Sequence, residues 1–203
     1  MGTSSASRCK TQSLLPCAVH YPARLRLTQA KTTMIMPQPL ITQIKFARSE
    51  MLRGLTDLSE ADAAKRLLPM NCIAWNVGHL ASQEQRNWLT RMQGRTPWPK
   101  LQEEFGYGSP GTSPALSKVL ESWKQTTAEC DKYLDGLTTE GLQQSFLMDG
   151  KPSPYRIGTL LMRQIYHYWY HIGENMSIRQ MLGHSDLAEY VGDLHSQAPY
   201  MPH

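Results

Sequence analysis

His167-Tyr-Trp-Tyr-His171-Ile-Gly-Glu174 lies within a segment, from about Thr159 to Gly183, that we predict to be one long helix. At 1.5 Å per residue, this helix would be roughly 36 Å long. The two histidines are four residues apart, so their imidazoles share one helix face and lie one turn apart. There they can share a metal ion and leave room for a third ligand from a neighbouring helix.

A third histidine, His79, lies in another helical pattern, which runs from the N-cap residue Asn71 to about Gly94. Its apolar stripe contains a single charged residue, Glu84. If this helix packs against the one that carries the histidine pair, the three imidazoles form a metal site with open coordination positions.

Two further helices are predicted, one from Pro39 to Leu55 and one from Ser113-Pro114 to about Leu137. Residues 94–113 are rich in proline, glycine and aromatic residues and are too numerous for a tight turn, so they cross over an end of the bundle. Nothing alternates with period two for long enough to predict a sheet. We therefore predict an all-α fold, a four-helix bundle with a long crossover between helices 2 and 3.

Composition and charge restrict the function. The chain has 203 residues, 40% hydrophobic and 19% charged, which suits one domain with a sizeable core. Residues 1–33 carry five basic side chains and no acid, so without them the formal charge changes from +4 to −1, and we expect no nucleic-acid partner. No apolar run approaches the roughly 18 to 20 residues of a membrane span, so we expect a soluble protein with no membrane partner. The four cysteines form no Cys-x-x-Cys pair, which favours reduced thiols and a cytoplasmic location.

We divide the chain into three parts. Residues 1–33 show little periodicity and fit a disordered arm, an organelle presequence, or an upstream extension of the gene model that precedes a natural start at Met34 or Met36. Residues 34–184 form the predicted bundle, and residues 185–203 form a C-terminal tail.

Two motifs in this order, Trp75-Asn-Val-Gly-His79-Leu80 and His167-Tyr-Trp-Tyr-His171, resemble the DinB-like superfamily, over about residues 37–184. That superfamily includes bacillithiol S-transferases and the metal-binding domain of mycothiol-dependent maleylpyruvate isomerase. The resemblance implies a bundle of up-down-down-up order and a divalent metal held by one residue of the second helix and two of the fourth. These positions are His79, His167 and His171, so the resemblance implies an all-imidazole site, whereas some members have a glutamate at one of them. Because reactions and thiols differ within the superfamily, the resemblance implies a site more firmly than a substrate.

Glu174 follows His171 by three residues and so lies on the face that carries the two histidines. It could be a catalytic proton acceptor, orient a ligand, or occupy a further coordination position. The alternative is a buried partner for Arg163, Arg179 or a backbone group. Tyr168 stands where a zinc protease of the His-Glu-x-x-His type has its glutamate, so we do not predict a protease.

Other residues near the histidines have simpler expected roles. Glu84 lies about 140° around the helix from His79, which predicts support for a ligand or a salt bridge between helices. Trp75 and Tyr168 are expected to pack in the core, although Trp75 and Arg86 could also line a pocket. Cys72 is expected to be a core thiol.

Three neutral imidazoles bind zinc or nickel and leave positions for water or a thiol, which the metal acidifies. The leading hypothesis is a metal-dependent enzyme of the thiol S-transferase or hydrolase type, which acts on a small molecule and activates a low-molecular-weight thiol or water. The alternative is a noncatalytic metal-stabilised bundle, stress-related or ligand-binding, with its fourth position closed by Glu174, His195 or His203. We also expect a homodimer.

Overall fold

The computed structural model describes Met1 and residues 38–148 and 150–200. The predictions for residues 2–33 and for His203 therefore lie outside the described residues. Within the described part, the helices are α1 (Pro39–Gly54), α2 (Glu60–Ala64), α3 (Ile73–Glu84), α4 (Pro99–Phe105), α5 (Leu116–Leu134), α6 (Thr139–Leu142), α7 (Ile157–Met181) and α8 (Leu194–Gln197). The strands are β1 (Ser145–Met148) and β2 (Lys151–Arg156), and a π-helix (Gln85–Arg91) directly continues α3.

The four long helices form the predicted bundle. α3 packs against both α5 and α7, and α1 packs against α7. Their buried faces form two apolar clusters, one around Trp75, Leu80 and Trp123, the other around Trp88 and Leu161. The all-α class is therefore confirmed. None of the helices in the described residues combines the length and the apolar composition needed to cross a membrane.

Two helices begin at residues other than those predicted. The N-cap of α3 is Cys72 rather than Asn71, and its sulfur accepts a hydrogen bond from the Trp75 backbone N–H at 3.4 Å. Cys72 is fully buried, as expected of a core thiol. α5 begins at Leu116 rather than at Ser113-Pro114, because the Glu60 carboxylate accepts hydrogen bonds from the free N–H groups of its first turn.

A short sheet corrects the expectation that the chain contains none. β1 and β2 form an antiparallel hairpin immediately before α7. Its strands have only four and six residues, and β2 contains Pro152 and Pro154. Such short, proline-interrupted strands produce no alternating pattern, which is why the sequence did not predict them.

A buried polar network connects the four long helices. The Arg48 guanidinium of α1 donates two hydrogen bonds of 2.8 Å to the Glu84 carboxylate at the end of α3, and a third, of 2.6 Å, to Asp131 of α5. The Tyr168 hydroxyl of α7 donates to Glu84 and accepts from the indole N–H of Trp123. The salt bridge between helices predicted for Glu84 is thus confirmed.

Candidate metal centre

The bundle brings the three predicted histidines together. His79 lies on α3, and His167 and His171 lie one turn apart on α7. Each offers a ring nitrogen, and these nitrogens all lie within 4.8 Å of one another. The Nε2 atoms of His167 and His171 are 3.0 Å apart. The tetrahedral ligands of an ion at 2.0 to 2.1 Å would be about 3.3 Å apart, so the group could hold a metal ion.

Hydrogen bonds fix the tautomers of two of these rings. Nδ1 of His79 lies 2.7 Å from the backbone oxygen of Phe105, and Nδ1 of His171 lies 2.7 Å from the Glu174 carboxylate. Both partners are acceptors, so each Nδ1 carries the proton, which leaves Nε2 as the atom of each neutral ring that can bind a metal. Hydrogen-bond partners of this kind on the outer ring nitrogen are typical of metal-binding histidines, so the residues present are suited to holding a metal.

The surroundings keep two of the imidazoles neutral. Burial lowers the pKa of His79 to about 4, against the hydrogen bond that the ring donates to the Phe105 carbonyl and with the help of the neighbouring charge of His171. Burial also lowers the pKa of His167 to about 3, helped by the charges of His171 and His79. Both rings are therefore unprotonated at neutral pH, which is the form that binds a metal.

Two further side chains hold the site in place. The Trp75 ring stacks on His79 with its centroid 5.1 Å away and an interplanar angle of 11°. Asn76 donates to the Glu174 carboxylate at 3.0 Å and to the Asn175 side-chain oxygen at 2.9 Å. Trp75 packs in the core as expected, and its packing also orients a histidine of the group.

Glu174 contacts neither of the arginines suggested as its partners within the described residues. Its carboxylate instead receives hydrogen bonds from Asn76 and from the ring of His171. Arg179 donates to the carbonyls of Gly54 and Thr56. Glu174 therefore lies where it can orient the ring of His171, while its roles in ligand orientation and catalysis stay predictions.

The other residues suggested for the fourth coordination position are not part of this group. The His195 ring is not among the grouped nitrogens within residues 38–148 and 150–200, and Glu174 is engaged at the far side of the His171 ring. His203 lies outside the described residues.

Two of the three histidines, His79 and His167, border a cavity of about 510 Å³. Besides His79 and His167, its wall contains the side chains of Gln83, Arg86, Asn87, Arg91, Tyr107, Leu160, Arg163 and Gln164. The volume suits a small organic molecule. Arg86 was suggested from the sequence as a pocket residue. Arg163 also carried a signal, because it precedes His167 by four residues and so shares its helix face.

The fold and the histidine group together define a mainly helical bundle protein with a site that could hold a metal ion. A family model described as the DinB superfamily matches residues 43–175, a stretch that includes all three histidines. The chain belongs to the DinB superfamily, as its sequence motifs predict. No curated protein matches it.

Proposed function

We propose that this protein is a metal-dependent enzyme in which His79, His167 and His171 hold a divalent ion, zinc or nickel, and which transfers a thiol or hydrolyses a small molecule. The observation that carries the proposal is that the three imidazole nitrogens lie within 4.8 Å of one another, and that two of the rings, His79 and His167, border a cavity of about 510 Å³. Three protein ligands leave coordination positions for water or a substrate, as catalytic sites require.

A divalent ion supplies positive charge that lowers the pKa of a bound water or thiol towards neutrality. The chain's own residues prepare the donor set for it. Phe105 and Glu174 hold the protons on the outward nitrogens of His79 and His171. Burial keeps His79 and His167 neutral, so no proton has to leave these two rings when an ion binds at neutral pH.

The cavity also supports the enzymatic proposal over the noncatalytic alternative. A purely structural metal is normally enclosed by four protein ligands. Here His79 and His167 border an opening large enough for a small molecule, and Glu174 is occupied by contacts with His171 and Asn76.

Elemental analysis of protein purified without a histidine tag tests the metal assignment. We expect about one divalent ion per chain, and loss of stoichiometric binding in each of the variants His79→Ala, His167→Ala and His171→Ala. The matched control is His195→Ala, because His195 is exposed and outside the group. Full metal occupancy in all three site variants would refute the assignment.

Cobalt substitution then tests the open position. Titration of the cobalt protein with 2-mercaptoethanol should produce a thiolate-to-cobalt charge-transfer band if the site accepts a thiol. Cobalt binding without that band would favour hydrolysis over thiol transfer. If the cobalt spectrum changed with neither thiol nor pH, the ion would lack an exchangeable position, and the noncatalytic bundle would replace the enzyme.

A further inference from the structure

Three arginines line the cavity beside the histidines. Arg86 and Arg91 belong to the π-helix, and Arg163 belongs to α7, one turn before His167. None of the three forms a salt bridge with a carboxylate within the part of the chain that the structure describes. The positive charges of these three guanidinium groups at one opening are therefore not neutralised by a salt bridge to a described carboxylate.

The π-helix explains how two of these arginines reach the same opening. Arg86 and Arg91 are five residues apart, the spacing that i→i+5 hydrogen bonding places on one side. Arg86 donates to the Gln83 side-chain oxygen at 2.7 Å, and Arg91 donates to that of Asn87 at 2.9 Å. These neutral amides orient the guanidinium groups without neutralising them.

A buried amide in the same wall lacks a hydrogen-bond acceptor. Gln164 is 2% exposed, and its Oε1 accepts from the Asn87 side chain at 2.7 Å. Its Nε2 donor has no partner among the described residues, and neither does the Nε of Arg86. Buried donors are almost always satisfied. Because Arg66 Nε, Trp75 Nε1 and Trp88 Nε1 also lack partners among the described residues, the two donors beside the cavity support an acceptor there only together with the three arginines.

The charges around the cavity favour an anion as its occupant. Burial lowers the pKa of Arg86, and the positive charges of Arg91 and Arg163 lower it further. An anion in the cavity would offset this mutual repulsion. Guanidinium groups bind carboxylate and phosphate oxygens through charge-assisted, often bidentate hydrogen bonds.

We propose that the cavity binds a small molecule through an oxyanion group, a carboxylate or a phosphate, held by Arg86, Arg91, Arg163 and Gln164. The rest of the molecule then lies against His79 and His167, which border the same cavity. The inference rests on the proposed function in that this anionic molecule is the substrate or the thiol of that site. It names the substrate class, an acidic small molecule.

Calorimetric titration of the full chain with two anions tests the inference, and metal content is measured separately for every sample. The probes are succinate and inorganic phosphate, and the neutral diamide of succinate is the control ligand. Tighter binding of succinate would identify a carboxylate as the natural group, and tighter binding of phosphate would identify a phosphate. Both the metal-loaded protein and the chelator-treated protein are titrated.

We expect Arg163→Gln to weaken binding of the preferred anion about tenfold or more, because a charge-assisted hydrogen bond is lost. Arg163 is exposed, so the variant should fold, and Arg91→Gln serves as a second variant. Lys124→Gln, which removes an exposed charge from α5 outside the cavity wall, should change the affinity less than twofold.

The results separate the two proposals. Metal-loaded protein that binds neither anion, binds the diamide equally well, or is unaffected by Arg163→Gln and Arg91→Gln overturns the oxyanion site while leaving the metal site intact. Protein that takes up no divalent ion even when metal is supplied, yet binds an anion with the expected loss in Arg163→Gln, supports the oxyanion site and refutes the metal-dependent function.

Discussion

Phe105 places its backbone oxygen 2.7 Å from Nδ1 of His79, although its own side chain has no chemistry to offer a metal. The contact joins α4, in the crossover, to α3. It is possible because Gly78 leaves room for the Phe105 ring to lie directly on the backbone of α3. The crossover thus takes part in orienting a candidate ligand.

Replacing Gly78 should therefore disturb both the core and the metal site. In Gly78→Ala, the new Cβ would lie 2.7 to 2.9 Å from three atoms of the Phe105 ring, so the ring must move. We expect a loss of about 1 to 3 kcal/mol in the free energy of unfolding, typical of an overpacked core, and weaker metal binding. Gly173→Ala on α7 is the matched control, because a Cβ there meets nothing within 4 Å. Urea denaturation and metal titration provide the measurements, and equal behaviour of the two variants would contradict the role of Gly78.

Removing the carboxylate behind His171 should weaken metal binding without abolishing it. Loss of an outer partner of a ligating histidine typically costs 10 to 100-fold in affinity, and we expect this of Glu174→Ala. Glu174→Gln retains an acceptor oxygen for Nδ1 and should lose less. Competition with a chromophoric chelator measures the affinities, and Glu121→Gln, an exposed change on α5, is the control. An unchanged affinity in Glu174→Ala would mean that His171 is oriented by packing alone.

The metal-free protein should become less stable as the pH falls below about 6.5. The folded protein holds the pKa of His79 at about 4 and that of His167 at about 3, whereas both are near 6.5 in an unfolded chain. Between these values the unfolded chain binds protons that the folded chain does not, so protonation favours unfolding. Each histidine contributes up to about 1.4 kcal/mol per pH unit, and the loss ends once the pH is below the folded values.

Urea denaturation at pH 7.5, 6 and 5 measures this slope. His79→Ala should show a smaller decline between pH 7.5 and 5 than the parent chain. His195→Ala should show the parental decline, because His195 is exposed. A decline that is identical in all three proteins would show that the site histidines do not cause it.

Removing only one member of the Arg48 and Glu84 ion pair should strongly destabilise the fold. The two side chains are 6% and 0% exposed, so Glu84→Ala leaves a guanidinium buried with only Asp131 as a charged partner. We expect destabilisation of about 3 to 5 kcal/mol. Lys132→Ala removes an exposed i,i+3 pair with Glu129 and should cost less than about 1 kcal/mol. Thermal unfolding of both variants tests the difference, which would vanish if Asp131 alone could satisfy Arg48.

Much of the bundle and the histidine group could be predicted from the sequence. The four-residue spacing of His167 and His171 fixes their common face, and helical periodicity over long segments identifies α1, α3, α5 and α7. The buried pairing of Glu84 followed from a charge lying within an apolar stripe. These features depend on side chains at regular spacings, which a sequence records directly.

Other features depend on the backbone and leave little trace in the sequence. A carbonyl such as that of Phe105 exists at every residue, so nothing singles it out as a partner for His79. The π-helix changes only the hydrogen-bonding register within a continuous helical pattern. The capping of α5 by Glu60 joins residues that are more than 50 positions apart.

The polar network around Glu84 also determines how the long helices are aligned along their axes. Glu84 lies five residues after His79 on the same helix, and Tyr168 lies between His167 and His171. Sliding α3 by one turn, about 5.4 Å, would separate Glu84 from Arg48, leave Asp131 as the only charged partner of Arg48, and at the same time withdraw His79 from the other two rings. Buried charges would therefore disfavour a mispaired bundle even without a metal, so an ion that binds here would meet three nitrogens that are already assembled.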